Sequence, residues 1–148
     1  MNTLIRKLME SNDSFAPLAL RIPIGIIFMA HGAQKLFGWF GGYGLEGTGG
    51  WMESIGLAPG FLMALLAGSA ELFGGLFILL GLLTRLSSIA LAFTMVVAIF
   101  SVHFANGLFM SNNGYEFGLA LLAASVSLAI SGGGKLALDN KIAPKLSS

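Results

Sequence analysis

Residues 17–40 read PLALRIPIGIIFMAHGAQKLFGWF, an apolar stretch long enough to cross a membrane but interrupted by ionisable side chains. A transmembrane helix needs about 20 apolar residues. A charged side chain at bilayer depth costs a few kcal/mol or more, so residues of this kind indicate a functional site. Five ionisable residues lie in this stretch and in later stretches like it: Arg21, His31, Lys35, Glu71 and His103.

Composition places the whole chain in the membrane class. Of its 148 residues, 55% are hydrophobic and 10% are charged, and the mean hydropathy is +0.84. Soluble domains usually carry about 25% charged residues. A net charge of +1 also excludes a nucleic-acid binder, because no basic patch could neutralise several phosphates.

The chain contains no cysteine, which excludes disulfides, thiol chemistry, iron–sulfur clusters and covalently attached haem. Redox chemistry would therefore depend on a quinone, another bound cofactor or a partner subunit. A b-type haem held between His31 and His103 is the less favoured alternative. No Glu-x-x-His pair of the kind that holds two metal ions occurs, so we predict no metal site.

Four apolar segments predict an all-α membrane protein, a bundle of four transmembrane helices that forms a single domain over residues 1–148. The expected spans are residues 17–40, 61–83, 86–109 and 115–131, of which the last is short. Between the first two spans lies a glycine-rich loop, which we expect to fold compactly over the mouth of the bundle.

Positive charges predict the orientation, because Lys and Arg are retained on the cytoplasmic side. The segments before the first span, between the second and third, and after the fourth all contain them, whereas residues 41–60 and 111–114 contain none. Both termini are therefore expected in the cytoplasm. Residues 1–14 are expected to form a short amphipathic helix on that surface.

Helical spacing predicts which faces turn inward. The first span carries a seam with 4-3-4-3 spacing, formed by Arg21, Gly25, Phe28, Gly32 and Lys35. The second span places Gly68 and Gly75 on either side of Glu71, where glycines permit close helix approach. The fourth span carries a small and polar stripe that we expect to form the fourth wall of the bundle: Glu116, Ala120, Ala123 and Ser127.

Counting residues along the helices predicts a pocket that opens outward. His31 and His103 fall at similar depths, above a Glu71 near mid-bilayer. We expect Arg21 and Glu71 to pair, with a role that is structural or functional, and Lys35 to extend toward the outer interface. The catalytic candidates are Glu71, His31, His103 and Lys35. The candidates for lining a quinone-type pocket are Arg21, Gln34 and Glu116.

Taken together, the residues resemble the DoxX family. The resemblance rests on the seam of the first span, on loop and second-span residues, and on a tail motif: Gly47, Thr48, Trp51, Met52, Ile55, Gly56, Glu71, Gly74, Gly75, Gly81, Arg85, Gly134, Lys135, Leu138 and Asp139. It implies a small four-helix protein of the inner membrane, of a kind often named as an oxidoreductase and related to the membrane subunit of an archaeal thiosulfate:quinone oxidoreductase. Some family members associate with soluble sulfur-transfer or superoxide-removing enzymes. The resemblance implies a polar core of Arg21, Lys35 and Glu71, with His31 and His103 beside it.

Three functions remain open on the sequence. The favoured one is a quinone-linked redox component or subunit, because a quinone needs an apolar slot and groups that donate and accept protons. The second is a non-catalytic anchor for a peripheral enzyme, docked on Arg85 and the basic tail. The third is a permeation unit for a small solute or proton, which four spans would support only as a homo-oligomer.

Overall fold

The structure, a computed structural model, describes residues 2–146, which form seven α-helices joined by short turns. The helices are α1 Asn2–Met9, α2 Ala16–Phe37, α3 Gly44–Ser54, α4 Gly60–Leu80, α5 Thr84–Ala98, α6 Glu116–Ser131 and α7 Asp139–Ile142. A π-helical turn, Ile99–His103, and a 3-10 turn, Phe104–Asn106, extend α5. Further 3-10 turns are Trp39–Gly41, Met110–Asn112 and Ala143–Leu146.

Three helical segments have the length and composition of membrane spans: Ala16–Phe37, Gly60–Leu80 and Thr84–Asn106. The fourth, α6, is apolar but has only 16 residues, or about 24 Å at 1.5 Å per residue. The predicted all-α membrane bundle is confirmed, and each predicted boundary lies within three residues of the observed one. The first two spans end early because Gly38 and Gly81 adopt left-handed conformations with φ of 71° and 68°.

The close approach of α2 and α4 organises the bundle. A Cβ atom at Gly25 would lie 2.8 Å from the Gly75 carbonyl oxygen, and one at Gly32 would overlap the backbone of Leu72. The predicted glycine contact between the two helices is therefore confirmed. The seam of α2 is buried as predicted from Arg21 through Gly32, and Lys35 at its end is half-buried.

The apolar core lies between the four long helices. Its buried members are Phe28, Ile78, Leu91, Met95, Leu121 and Leu128. We call the end of the bundle that holds α1, α7 and the start of α5 the basic end. The opposite end, which holds α3 and residues 107–115, is the loop end.

The predicted fourth wall is wrong. Ala120, Ala123 and Ser127 point outward on α6, whereas the buried face of that helix carries Leu121, Ala124, Ser125 and Leu128. Lipid tails are as apolar as a protein core, so side-chain size alone does not decide which face of α6 turns inward. Leu121 and Leu128 fill the core beside two small residues, Ala124 and Ser125.

A C-terminal strap, residues 132–146, closes the basic end. The Asp139 carboxylate accepts hydrogen bonds from the backbone N–H groups of Leu83 at 2.6 Å and Thr84 at 2.9 Å, and so caps the start of α5. Arg85 donates to the backbone oxygens of Glu10 and Ala129. The N-terminal helix and the strap thus meet at one end of the bundle. The short helix expected within residues 1–14 is observed as α1, Asn2–Met9.

Candidate functional site

An ion pair joins α2 to α4 inside the bundle. Lys35 Nζ lies 2.7 Å from Glu71 Oε2, and the two side chains are 23% and 4% exposed. Gly68, one turn before Glu71, makes room for the lysine, because a Cβ at that position would lie 3.2 Å from Lys35 Cβ. The expectation that Lys35 extends to the outer interface is therefore wrong, since its ammonium group turns inward to a buried carboxylate.

The predicted pairing of Arg21 with Glu71 is also wrong. Arg21 is 1% exposed and donates to the Gly133 carbonyl at 2.8 Å, with a longer 3.5 Å contact to the Leu136 carbonyl. It faces Gly81 at the end of α4, where a Cβ would overlap the guanidinium. Gly81 lies ten residues beyond Glu71, about 15 Å along the helix, so Arg21 belongs to the basic end and holds the strap.

The larger of two cavities in this region, the cleft, has a volume of about 510 Å³ and lies between α3, α4 and α5. Its walls are mostly apolar side chains, among them Met63, Leu66, Ala67, Phe93 and Val97. Leu66 and Phe93 are 55% and 69% exposed. Because these apolar residues lie on the outer surface of a membrane-spanning bundle, the cleft opens toward lipid.

The smaller cavity, the inner pocket, has a volume of about 120 Å³ and lies within the bundle. Both histidines line it, together with Phe28, Met95, Met110, Gly114, Phe117, Gly118 and Leu121. Lys35, Glu71, Ala98 and His103 line both cavities. The ion pair therefore lies where the cleft and the inner pocket meet.

His103 is held in place by the loop end. It sits on the π-helical turn that extends α5, and such turns occur often at functional sites. Its Nδ1 lies 2.9 Å from the Asn113 carbonyl oxygen, which also accepts from Asn106 Nδ2 at 3.1 Å. A carbonyl oxygen can only accept, so Nδ1 carries the proton and Nε2 is left as the acceptor. Sequence spacing gave no signal for Asn106 and Asn113 as partners.

His31 lies on α2, one turn before Lys35, and packs against the Phe117 ring with 6.0 Å between ring centroids. His31 and His103 both line the inner pocket. That pocket, about 120 Å³, has room for about four water molecules at the liquid volume of about 30 Å³ each.

Three of the sequence candidates lie away from both cavities. One of them is Arg21, at the basic end. Of the other two, Gln34 donates from Nε2 to the Phe40 carbonyl at 3.2 Å, and Glu116 accepts from the Met110 N–H at 2.9 Å. Each of these two contacts fixes a turn at the loop end. Within residues 2–146, no group of three or more His, Asp or Glu side chains is arranged to hold a metal ion.

Comparison with known proteins agrees with this architecture. The chain is 39% identical over 131 residues to "Putative oxidoreductase CatD" of Bacillus subtilis, covering 88% of this chain and 90% of that protein. It is 33% identical over 143 residues to "Inner membrane protein YqjF" of Escherichia coli, covering 93% and 99%. It is 27% identical over 149 residues to "Uncharacterized membrane protein Rv3486" of Mycobacterium tuberculosis, covering 94% and 88%.

No solved structure matches the chain. The sequence profile of one family, DoxX, matches residues 16–104. This range holds α2 to α5 and includes Lys35, Glu71, His31 and His103. The helices contact the lipid bilayer as a multi-pass bundle. The chain belongs to the DoxX family of membrane proteins.

Proposed function

We propose that this protein is a quinone-linked component of an oxidoreductase system in the inner membrane, and that the quinone ring binds in the cleft beside the Lys35–Glu71 ion pair. The observation that carries the proposal is the cleft itself, a lipid-facing apolar cavity with an ion pair and a histidine in its wall. The names of the Bacillus and Escherichia relatives, an oxidoreductase and an inner membrane protein, support the class and the location.

The size and lining of the cleft suit such a ligand. Small-molecule sites commonly measure about 300 to 1,000 Å³ and combine apolar walls with a few convergent polar groups. The cleft measures about 510 Å³, and its titratable residues are Lys35, Glu71 and His103. A quinone partitions into lipid and would enter between α4 and α5 without crossing water.

Each polar group has a defined part in this proposal. Lys35 donates a hydrogen bond to a quinone oxygen, whereas Glu71 and His103 Nε2 accept from the hydroxyl groups of the reduced form. A two-electron reduction of a quinone also takes up two protons. We propose that a soluble redox or sulfur-transfer enzyme supplies the electrons, since the chain has no cysteine of its own to carry them.

The two other functions draw less support from the contacts. Arg85, expected to dock a peripheral enzyme, donates instead to backbone oxygens of Glu10, Ala129 and Ile130. A permeation route within one bundle would have to pass the apolar core, which lies between the inner pocket and the basic end, so a route would need an interface between copies of the chain.

Quinone binding can be measured with a tryptophan of the cleft. The protein has two tryptophans, and Trp51 lines the cleft. In a Trp39→Phe background, titration with decylubiquinone is expected to quench Trp51 fluorescence to saturation. Lys35→Met or Glu71→Gln should weaken binding about tenfold, the equivalent of 1.4 kcal/mol.

Glu116→Gln is the matched control, because Glu116 lies outside both cavities and glutamine retains an acceptor for the Met110 N–H. It should leave the titration unchanged. Quenching that never saturates, or that responds equally to Glu116→Gln and Glu71→Gln, would contradict the proposal.

A further inference from the structure

We infer that the inner pocket is a water-filled route through which Glu71 exchanges protons with the aqueous phase at the loop end alone, the face opposite the basic end. The route itself follows from the geometry. That this route would also serve the protons of a quinone in the cleft rests on the proposed function.

The inner pocket reaches from the ion pair to the loop end. Met110 and Gly114, which lie in the loop between α5 and α6, form part of its wall, and Met110 is 46% exposed. The polar side chains that line it are Glu71, His31, Lys35 and His103. Lys35, one turn beyond His31 on α2, and His103, on the turn that extends α5, are attached nearer the loop end. The walls are otherwise mostly apolar, but these four side chains offer several hydrogen-bonding partners in a space with room for about four waters, which meets the requirements for internal water.

Toward the basic end the route is closed. Phe28 and Met95, which are 1% and 6% exposed, form the floor of the inner pocket. One turn beyond them Ile78, Leu91 and Leu128 are all 0% exposed and pack together. The buried Ser125 hydroxyl beside this layer donates to the Leu121 carbonyl at 2.8 Å, and the buried Ser88 hydroxyl lies one turn further toward the basic end. The three side chains that fill the layer are apolar and give water no hydrogen-bonding partner.

The titratable groups that face Glu71 are few. From α2 they are Lys35 and His31, and from the turn after α5 it is His103. The parts of α3 and α6 that line the two cavities contribute no ionisable side chain. Their lining residues are Trp51, Met52, Phe117, Gly118 and Leu121.

His103 is the group suited to carry a proton outward. The Asn113 carbonyl fixes the proton on Nδ1, which turns Nε2 into an acceptor. Asn113 belongs to the exposed loop at the loop end. Protons given up or taken up by a ligand in the cleft would therefore be exchanged with the loop-end compartment.

The experiment uses dicyclohexylcarbodiimide, an apolar reagent that reaches Glu71 from lipid through the cleft. It reacts with a protonated carboxyl group: a carboxyl oxygen bonds to the central carbon, the proton moves to a reagent nitrogen, and the adduct rearranges to an N-acylurea that retains the whole reagent. Labelling of the Glu71 peptide is followed by mass spectrometry in right-side-out and inside-out vesicles, with the two compartments buffered separately.

We expect the labelling rate to rise several-fold when the loop-end compartment is acidified and to stay constant when the basic-end compartment is acidified. Glu71→Gln must abolish the label. Labelling that follows the basic-end compartment, follows both compartments, or is absent even when both are acid overturns the inference.

A second measurement tests the water route without titration. The chain has no cysteine, so Met95→Cys and Leu91→Cys, one turn apart on the same face of α5, form a matched pair. Silver ions applied from the loop end should block the thiol at position 95 and leave the thiol at position 91 free. Equal reactivity at the two positions contradicts a water route that ends at Met95.

The two proposals can fail separately. Quinone titration of Trp51 fluorescence tests the cleft, whereas carbodiimide labelling and silver blocking are done without quinone. Loss of quinone binding with one-sided labelling would remove the proposed function and leave the proton route intact.

Discussion

The two side chains of the Lys35–Glu71 ion pair are buried to different extents, so we expect their removal to lower the free energy of unfolding by different amounts. Removing one partner of a buried pair leaves an uncompensated charge and costs about 3 to 5 kcal/mol. Lys35→Met leaves Glu71, 4% exposed, without its partner, whereas Glu71→Gln leaves a lysine that is 23% exposed on a flexible stem. Thermal unfolding in detergent should show the larger loss for Lys35→Met, about 3 kcal/mol.

The double variant, Lys35→Met with Glu71→Gln, is the control for this prediction. It should lose less stability than the sum of the two single losses, because neither partner is left charged and alone. Additive losses would mean that the two side chains do not stabilise each other.

At this scale the sequence predicted which polar residues lie near one another better than which of them pair. Glu71, Lys35, His31 and His103 do surround one site. The partner of Arg21 could not be predicted, because it is a backbone carbonyl more than a hundred positions away, in a glycine-rich tail without periodicity. A backbone carbonyl is present at every residue, so the pattern of side chains does not indicate which one accepts the hydrogen bond.

Among the helices, the α2–α4 contact depends on glycines that have no room for a side chain. Gly32→Ala would place a Cβ against the backbone of Leu72 and Gly68 and force the helices apart. We expect a loss of about 1 to 3 kcal/mol, the usual cost of overpacking. Gly50→Ala, inside α3 with nothing within 4 Å of its Cβ, is the control and should be neutral or stabilising.

The C-terminal strap gives a second prediction at the level of elements. Asp139→Ala removes both acceptors at the start of α5 and should cost about 1 to 2 kcal/mol. Trypsin cleavage at Lys135 should become faster as the strap detaches. Asp13→Ala, which removes an ion pair between Lys135 and the 87% exposed Asp13 side chain, should leave cleavage almost unchanged, and equal effects would contradict the capping role.

The helices themselves were predictable because apolar length and glycine stops set their bounds. The inward face of α2 was predictable because its glycines repeat at helical spacing. The inward face of α6 was not, because lipid tails are as apolar as the core and both faces of this helix mix large and small residues. Leu121 and Leu128 are buried, whereas Leu119 and Ile130 are 45% and 71% exposed.

For the whole molecule, charge distribution predicts an orientation that the fold makes testable. Both ends of the chain meet at the basic end, with Arg85 and Lys135 beside them. Positive residues favour the cytoplasm, so green fluorescent protein fused to the C-terminus should fluoresce and alkaline phosphatase fused there should be inactive. Asn112→Cys, at the loop end, should react with an impermeant maleimide on intact cells. The opposite results in these assays would mean that the basic end faces away from the cytoplasm.

The hydrogen bond between Arg21 and Gly133 can form only late in the synthesis of the chain. The two residues are 112 positions apart, and a ribosome that adds about 5 to 20 residues per second needs roughly 6 to 20 seconds to cover that distance. Throughout this interval the first helix has entered the membrane while its arginine still lacks both carbonyl partners. The nascent chain must therefore keep that guanidinium hydrated at the lipid headgroups, and the basic end can close only after translation is nearly complete.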